Sequence, residues 1–190
     1  MDTLVKPRQV ALDGQTLVDR AGAMIPFLRE MAERTSSLRR PTEEVRLRLK
    51  ADGVARLWQP RRYGGAEGGL VQGAEILRQL GRGCGSTGWI VAQNIQHNLM
   101  LAQWPEQAQD EIWGDSPDAL VSGILIPGIG KARKVDGGYR LSGRWPFVSG
   151  CEIAEWIIFT GDYEIDGETR EIHFVLPRED VEILDTWYTI

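Results

Sequence analysis

Cysteine and histidine are both scarce in this 190-residue chain, with two of each. Cys84 and Cys151 stand far apart and belong to no CxxC pair, so neither a disulfide framework nor a zinc site is indicated. The imidazoles are His97 and His173, and no cluster of His, Cys and carboxylates falls at ligand spacing, so no residues are offered for a metal. No stretch approaches the roughly 18 apolar residues of a membrane span. The opening Met1-Asp2-Thr3-Leu4-Val5-Lys6-Pro7-Arg8 lacks the apolar run of a signal peptide. Positive charge is also short. Lys and Arg number 22 against 27 Asp and Glu, a net charge of −5 that argues against nucleic acid or an anionic membrane as partner. The basic run Lys131-Ala132-Arg133-Lys134 reads as a solvated hairpin edge. A cytoplasmic protein is the expectation.

What is present is ordinary globular material, 42% hydrophobic and 26% charged, long enough for one or two domains with real cores. The first part reads as helices, a domain over residues 1–117. Leu17, Ala21, Met24, Leu28 and Met31 recur at three and four residues, one apolar stripe that Pro26 should kink or split. Thr42 is placed to cap a short helix that Gly53 stops. Residues 59–65 form a loop, and a helix carrying Val71, Ala74, Leu77 and Leu80 follows. Another helix opens at Cys84-Gly85-Ser86-Thr87-Gly88-Trp89, capped by Ser86 or Thr87, and Trp104-Pro105-Glu106 starts one more.

After Pro117 the period changes to two. Residues 119–127, 131–135, 139–147, 156–161, 170–176 and 181–184 read as strands, with Asp136-Gly137-Gly138 and Asp166-Gly167 as turns between them. The expected architecture is therefore α+β, an all-helical domain followed by an antiparallel sheet or small barrel over residues 118–190. In the 139–147 strand, Trp145, Phe147 and Ser149 share one parity and are expected on one wall. Pro146 marks an edge or a bulge.

Two glycine-rich runs carry no phosphate signature. Gly128-Ile129-Gly130-Lys131 is followed by Ala132 where Ser or Thr is needed, and Gly81-Arg82-Gly83-Cys84-Gly85 follows a helix instead of a strand. The informative segments are Arg144-Trp145-Pro146-Phe147-Val148-Ser149-Gly150 and Leu120-Val121-Ser122-Gly123. Each sets a small hydroxyl beside a glycine at the end of an apolar run, where a planar ligand could meet backbone and side chain. On the preceding helix Trp89, Gln93 and His97 fall along one face. Periodicity by itself leaves His97 either internally satisfied or a base lining a pocket, and Ser149 either a strand-end turn or a ligand contact.

In order along nearly the whole chain, Gln59-Pro60-Arg61-Arg62-Tyr63-Gly64-Gly65, Gly85-Ser86-Thr87-Gly88-Trp89, His97, Val121-Ser122-Gly123, Gly138-Tyr139-Arg140-Leu141-Ser142-Gly143-Arg144-Trp145, Phe147-Val148-Ser149-Gly150-Cys151 and Phe174-Val175-Leu176-Pro177-Arg178 resemble flavin-dependent monooxygenases of the acyl-CoA dehydrogenase fold. These are the oxygenase components of two-component aromatic hydroxylases. The resemblance implies reduced FMN or FAD delivered by a separate flavin reductase, O2 as co-substrate, a small aromatic substrate hydroxylated through a flavin C4a-hydroperoxide, and a homo-oligomer. It also implies roles. Ser149 would meet flavin N5 and C4a, Phe147 and Trp145 would flank the isoalloxazine, and Ser122 would bond the ring from the neighbouring strand. His97 would meet and deprotonate a phenol, with Trp89 lining the same cavity.

Members of that family continue into a C-terminal helical bundle that covers the flavin. Here the last residues are Asp185-Thr186-Trp187-Tyr188-Thr189-Ile190, so a fragment or truncated relative is expected. Two other readings stand beside the first: an acyl-CoA dehydrogenase-type flavoprotein of the same fold, and a truncated, non-catalytic binding module.

Overall fold

The computed structural model describes residues 12–188. The reading of residues 1–8 lies outside them, as do Thr189 and Ile190. The apolar stripe that begins at Leu17 does break at Pro26. Helix α1 runs Gly14–Ala23 and α2 Ile25–Leu38, with Pro26 in the first turn of α2, where its missing N–H costs nothing. Leu17, Ala21, Met24 and Leu28 are all buried, so one stripe serves both helices. Thr42 caps α3 (Glu43–Asp52) by accepting the Val45 N–H at 3.3 Å, and Gly53 ends it at φ +66°.

Helix α4 (Leu70–Gly83) buries Gly73, Ile76 and Leu80 and leaves Val71 and Ala74 exposed, which corrects the expected face. The reason lies at Gly73. A Cβ there would come within 3.0 Å of the Trp58 ring, so a glycine fills a core position by admitting its neighbour's indole. Helix α5 (Gly85–Leu101) starts earlier than expected, with Cys84 at its cap and no side-chain capping bond, so Ser86 and Thr87 lie inside it. It is the central helix, buried on several sides. Gly88 brings it close to α4, because a Cβ there would meet the Gly81 nitrogen at 3.1 Å. Helix α6 (Glu106–Trp113) follows Pro105. No helix among the described residues is long and apolar enough to cross a membrane.

The sheet is mixed, which corrects the antiparallel sheet or barrel. Strand β1 (Val121–Ile124) pairs parallel with the first half of β4 (Trp156–Ile165), in register Val121 to Trp156 through Ile124 to Phe159. Strand β2 (Lys131–Val135) meets the same edge of β4 farther on, parallel at Lys131 and Asp162. It also forms an antiparallel hairpin with β3 (Gly138–Ser142). On the other edge, β4 and β5 (Glu168–Pro177) pair antiparallel along their length, joined by Asp166 (φ +52°) and Gly167 (φ +81°), the signature of a type I′ turn. The parallel pairing follows from the long excursion between β1 and β4, which takes the chain back to the starting end of the sheet. Residues 181–184 form no strand.

Helices and sheet share their cores. Leu120 and Ile153 belong to the apolar cluster built on α1 to α5, while Tyr63, Leu101, Ile112 and Trp113 pack with Val121 and Ile158. Glu155 is the polar counterpart of that joint. Its Oε1 accepts from Arg46 and Lys50 of α3, both at 2.5 Å, and its Oε2 accepts the Leu120 N–H at 2.7 Å.

Candidate functional site

The third expected strand stops at Ser142, so Trp145, Phe147 and Ser149 do not share a strand face. Residues 143–148 are irregular instead of continuing the expected strand, because Gly143 and Pro146 interrupt the ladder. Each of the three side chains goes its own way. Trp145 packs beneath the sheet, its ring 4.4 Å from that of Phe159 and its indole N–H donated to the Thr160 carbonyl at 3.0 Å. Gly143 and Gly130 make room for that ring, since a Cβ on either would fall within 3 Å of it. Phe147 turns outward at φ +61° and is 66% exposed.

Ser149 turns toward α5. Its Oγ accepts the Trp89 indole N–H at 3.2 Å, and its carbonyl accepts the Ser122 hydroxyl at 2.7 Å. Gly150, at φ +84°, lets this turn lie directly on the helix, because a Cβ there would be 2.8 Å from Ile90. Thus Trp89, Ser149 and Ser122 are joined in one hydrogen-bonded line from α5 through the 143–151 loop to β1.

The stripe of Trp89, Gln93 and His97 runs from solvent to core. Trp89 is 61% exposed, and His97, two turns on, is 3% exposed beneath β1. Asn94 fixes that docking: its side-chain amide donates to the Ile90 carbonyl at 3.0 Å and its Oδ1 accepts the Val121 N–H at 2.8 Å. The His97 Nδ1 lies 3.4 Å from the Val121 carbonyl, which favours the tautomer with its proton on Nδ1 and a bare Nε2. Burial lowers the His97 pKa from the ordinary value, and the Val121 carbonyl opposes that shift. The imidazole is therefore neutral near pH 7.

Nε2 faces Gly123. A Cβ at that position would sit 3.2 Å from Nε2 and 2.9 Å from Ile158 Cβ, so only glycine lets β1 pack this closely on the imidazole and Ile158. Cys151, in the same loop, is a neutral thiol: burial first, then Glu152, pushes its pKa up to about 12. It is no nucleophile.

The structure brings Trp89, His97, Ser122 and Ser149 into one neighbourhood, leaves Phe147 at its rim and places Trp145 in a supporting position under the sheet, not on a shared wall. The sequence reading missed Asn94 and Glu155. Both are polar residues set among buried apolar ones, which was a legible sign that each has a partner.

The likenesses to known proteins fall on this same frame. Residues 20–115 match the model of the acyl-CoA dehydrogenase N-terminal domain. A pigment production hydroxylase from a Rhodococcus species is 39% identical over 90% of this chain and 44% of its own length. The oxygenase component of an FADH2-dependent resorcinol hydroxylase from a Rhizobium species is 34% identical, over 92% of this chain and 43% of its own. The crystal structure of 3-HSA hydroxylase from Rhodococcus sp. RHA1 superposes with a TM-score of 0.85 at 36% identity, covering 92% of this chain and 45% of that one. The chain thus spans less than half the length of each of these relatives.

Proposed function

The chain belongs to the acyl-CoA dehydrogenase N-terminal domain family, and from that membership we propose that it forms part of the oxygenase component of a two-component flavin-dependent monooxygenase that hydroxylates a phenolic ring. Reduced FMN or FAD would come from a separate reductase, and the oxygenase would work as a homo-oligomer in the cytoplasm. The observation that carries the reading is the line from Trp89 through Ser149 to Ser122, with a neutral His97 beside it.

The residues fit a flavin. A planar heterocycle with a polar edge asks for aromatic surface and for neutral donors and acceptors, and the rim offers the outward ring of Phe147 and the half-exposed Ser149. The Ser149 hydroxyl, already accepting from Trp89, keeps its own proton to donate. Ser122 would hold the ring through the loop it ties down, and Trp145 would support the loop from below. When bound, reduced flavin supplies the two electrons with which one atom of O2 enters the ring and the other leaves as water.

The remaining chemistry belongs to the protein. A phenol becomes a better nucleophile when its proton is withdrawn, and the bare Nε2 of the neutral His97 would be the acceptor. Trp89, exposed on α5 next to Ser149, would form the cavity's outer wall.

The test is to supply the protein with reduced FMN or FAD and ¹⁸O2 and to offer a panel of phenols. The expected product carries one ¹⁸O on the ring, and its yield falls at least tenfold in His97→Asn. Reoxidation of the flavin to hydrogen peroxide with no ¹⁸O in any phenol would sink the reading.

A further inference from the structure

Phe147 occupies a conformation that its own backbone disfavours. Left-handed φ is disfavoured for a non-glycine residue, and the ring is mostly in solvent, so something outside the residue must hold it. Two contacts do. The Ser149 N–H donates to the Phe147 carbonyl at 2.9 Å, and the Trp187 ring meets the Phe147 ring edge to face, with centroids 6.1 Å apart and planes at 83°.

Trp187 lies in the 181–188 segment, which belongs to no strand or helix. What fixes that segment is Arg39. Its guanidinium makes a two-pronged pair with Asp185, at 2.7 and 2.5 Å, donates to the Trp187 carbonyl, and lies 4.2 Å from the centre of the Tyr188 ring. Arg39 is itself the left-handed residue that ends α2. Its N–H donates to Ser36 and that of Arg40 to Thr35, a Schellman-type cap that fixes the backbone from which the side chain departs.

We propose that Arg39 is a positioning residue for Phe147, holding the aromatic wall of the flavin site through Asp185 and Trp187. The inference rests on the reading of Phe147 as a flavin contact. The pair is poorly suited to a stabilising role. The Asp185 side chain is 62% exposed, and pairs in water contribute little to folding. Its effect is orientation, which separates it from an ordinary structural contact.

The test uses two readouts. Incorporation of 4-fluorophenylalanine labels the four phenylalanines, and Phe147→Leu identifies the signal of interest. In Arg39→Ala that ¹⁹F signal should shift and sharpen while the others hold, with an unchanged urea midpoint. Anaerobic titration with reduced FMN and reduced FAD should show binding weakened about tenfold, equivalent to about 1.4 kcal/mol, and Arg39→Lys should recover part of the loss. In a Phe147→Leu background, Arg39→Ala should change affinity less than about twofold, because the residue through which it acts is gone.

An unmoved ¹⁹F signal overturns the proposal. So does a moved signal with unchanged flavin affinity, or an Arg39→Ala effect that persists without Phe147. If the unaltered protein binds neither flavin, the proposed function fails and Phe147's flavin role with it. The ¹⁹F signal then still decides whether Arg39 holds the ring.

Discussion

Removing the Glu155 carboxylate should separate two contributions to the joint between helices and sheet. In Glu155→Ala the Leu120 N–H, met at 2.7 Å in the native protein, loses its partner at a mostly buried position. An orphaned buried donor costs about 1–3 kcal/mol. Arg46 and Lys50 lose their closest counter-charge but keep others: Arg46 still reaches Glu43 and the Ile153 carbonyl, and Lys50 lies 3.7 Å from Asp118. Glu155 is 27% exposed, so solvent screens these pairs, and each is worth about 0.5–1 kcal/mol.

The alanine variant should therefore lose about 2–5 kcal/mol. Glu155→Gln keeps an oxygen for Leu120 and should lose about 1–2 kcal/mol, the charge contribution alone. Urea unfolding followed by tryptophan fluorescence measures both, provided the slope with denaturant stays constant. Added salt should shrink the gap between the native protein and the glutamine variant and leave the gap between glutamine and alanine intact. An alanine variant within about 0.5 kcal/mol of the native protein would refute the account. Equal glutamine and alanine losses would show that the Leu120 bond contributes nothing.

Other outcomes follow from the packing and the titrating groups. Gly65→Ala would place a Cβ 1.9 Å from the Gln59 carbonyl oxygen, a backbone atom, so its loss of unfolding free energy should reach or exceed the roughly 1–3 kcal/mol of ordinary overpacking; a smaller loss would mean that the loop yields. His97, with its pKa below that of the unfolded chain, binds fewer protons in the folded state. Stability should therefore fall as pH drops from about 6.5 through the folded value. His97→Asn should flatten that slope between pH 7.5 and 5.5 in urea midpoints, and equal slopes would contradict the assignment. Cys151 should alkylate far more slowly in the native protein than in urea at pH 8, as peptide mass spectrometry can follow, because its thiol stays protonated there; equal rates would show the thiol to be free.

Local signals in the sequence were reliable where one residue decides the backbone. Pro26 marks the start of α2, Thr42 and Gly53 bracket α3, and Asp166-Gly167 turns β4 into β5. The sheet was harder because its pairing is not local: Val121 lies beside Trp156, and the chain between them holds a hairpin and an irregular loop. Parity failed at Trp145 and Phe147 for a related reason. Alternation places side chains only while the strand lasts, and this one ends at Ser142. The helical part of the site was more legible, since Trp89 and His97 sit two turns apart on one helix. Arg39 was beyond reach, because its partner Asp185 lies 146 residues away and no pattern ties the two.

Strands β1 and β2 lie end to end along one edge of β4, with the 125–130 excursion between them. The β2–β3 hairpin is held to that edge by the Lys131 and Asp162 register pair, the ion pair between their side chains at 2.7 Å, the Asp162 N–H to Gly130 bond and the packing of Tyr139 and Leu141. Opening it would break few bonds and leave Ser122, Gly123 and the strand they stand on in place. Amide exchange should therefore show two tiers in one sheet, a protected half beneath the site and a hairpin that opens by itself. The tip at Gly137, far in connectivity from the groups that would do the chemistry, is where an inserted peptide should be tolerated.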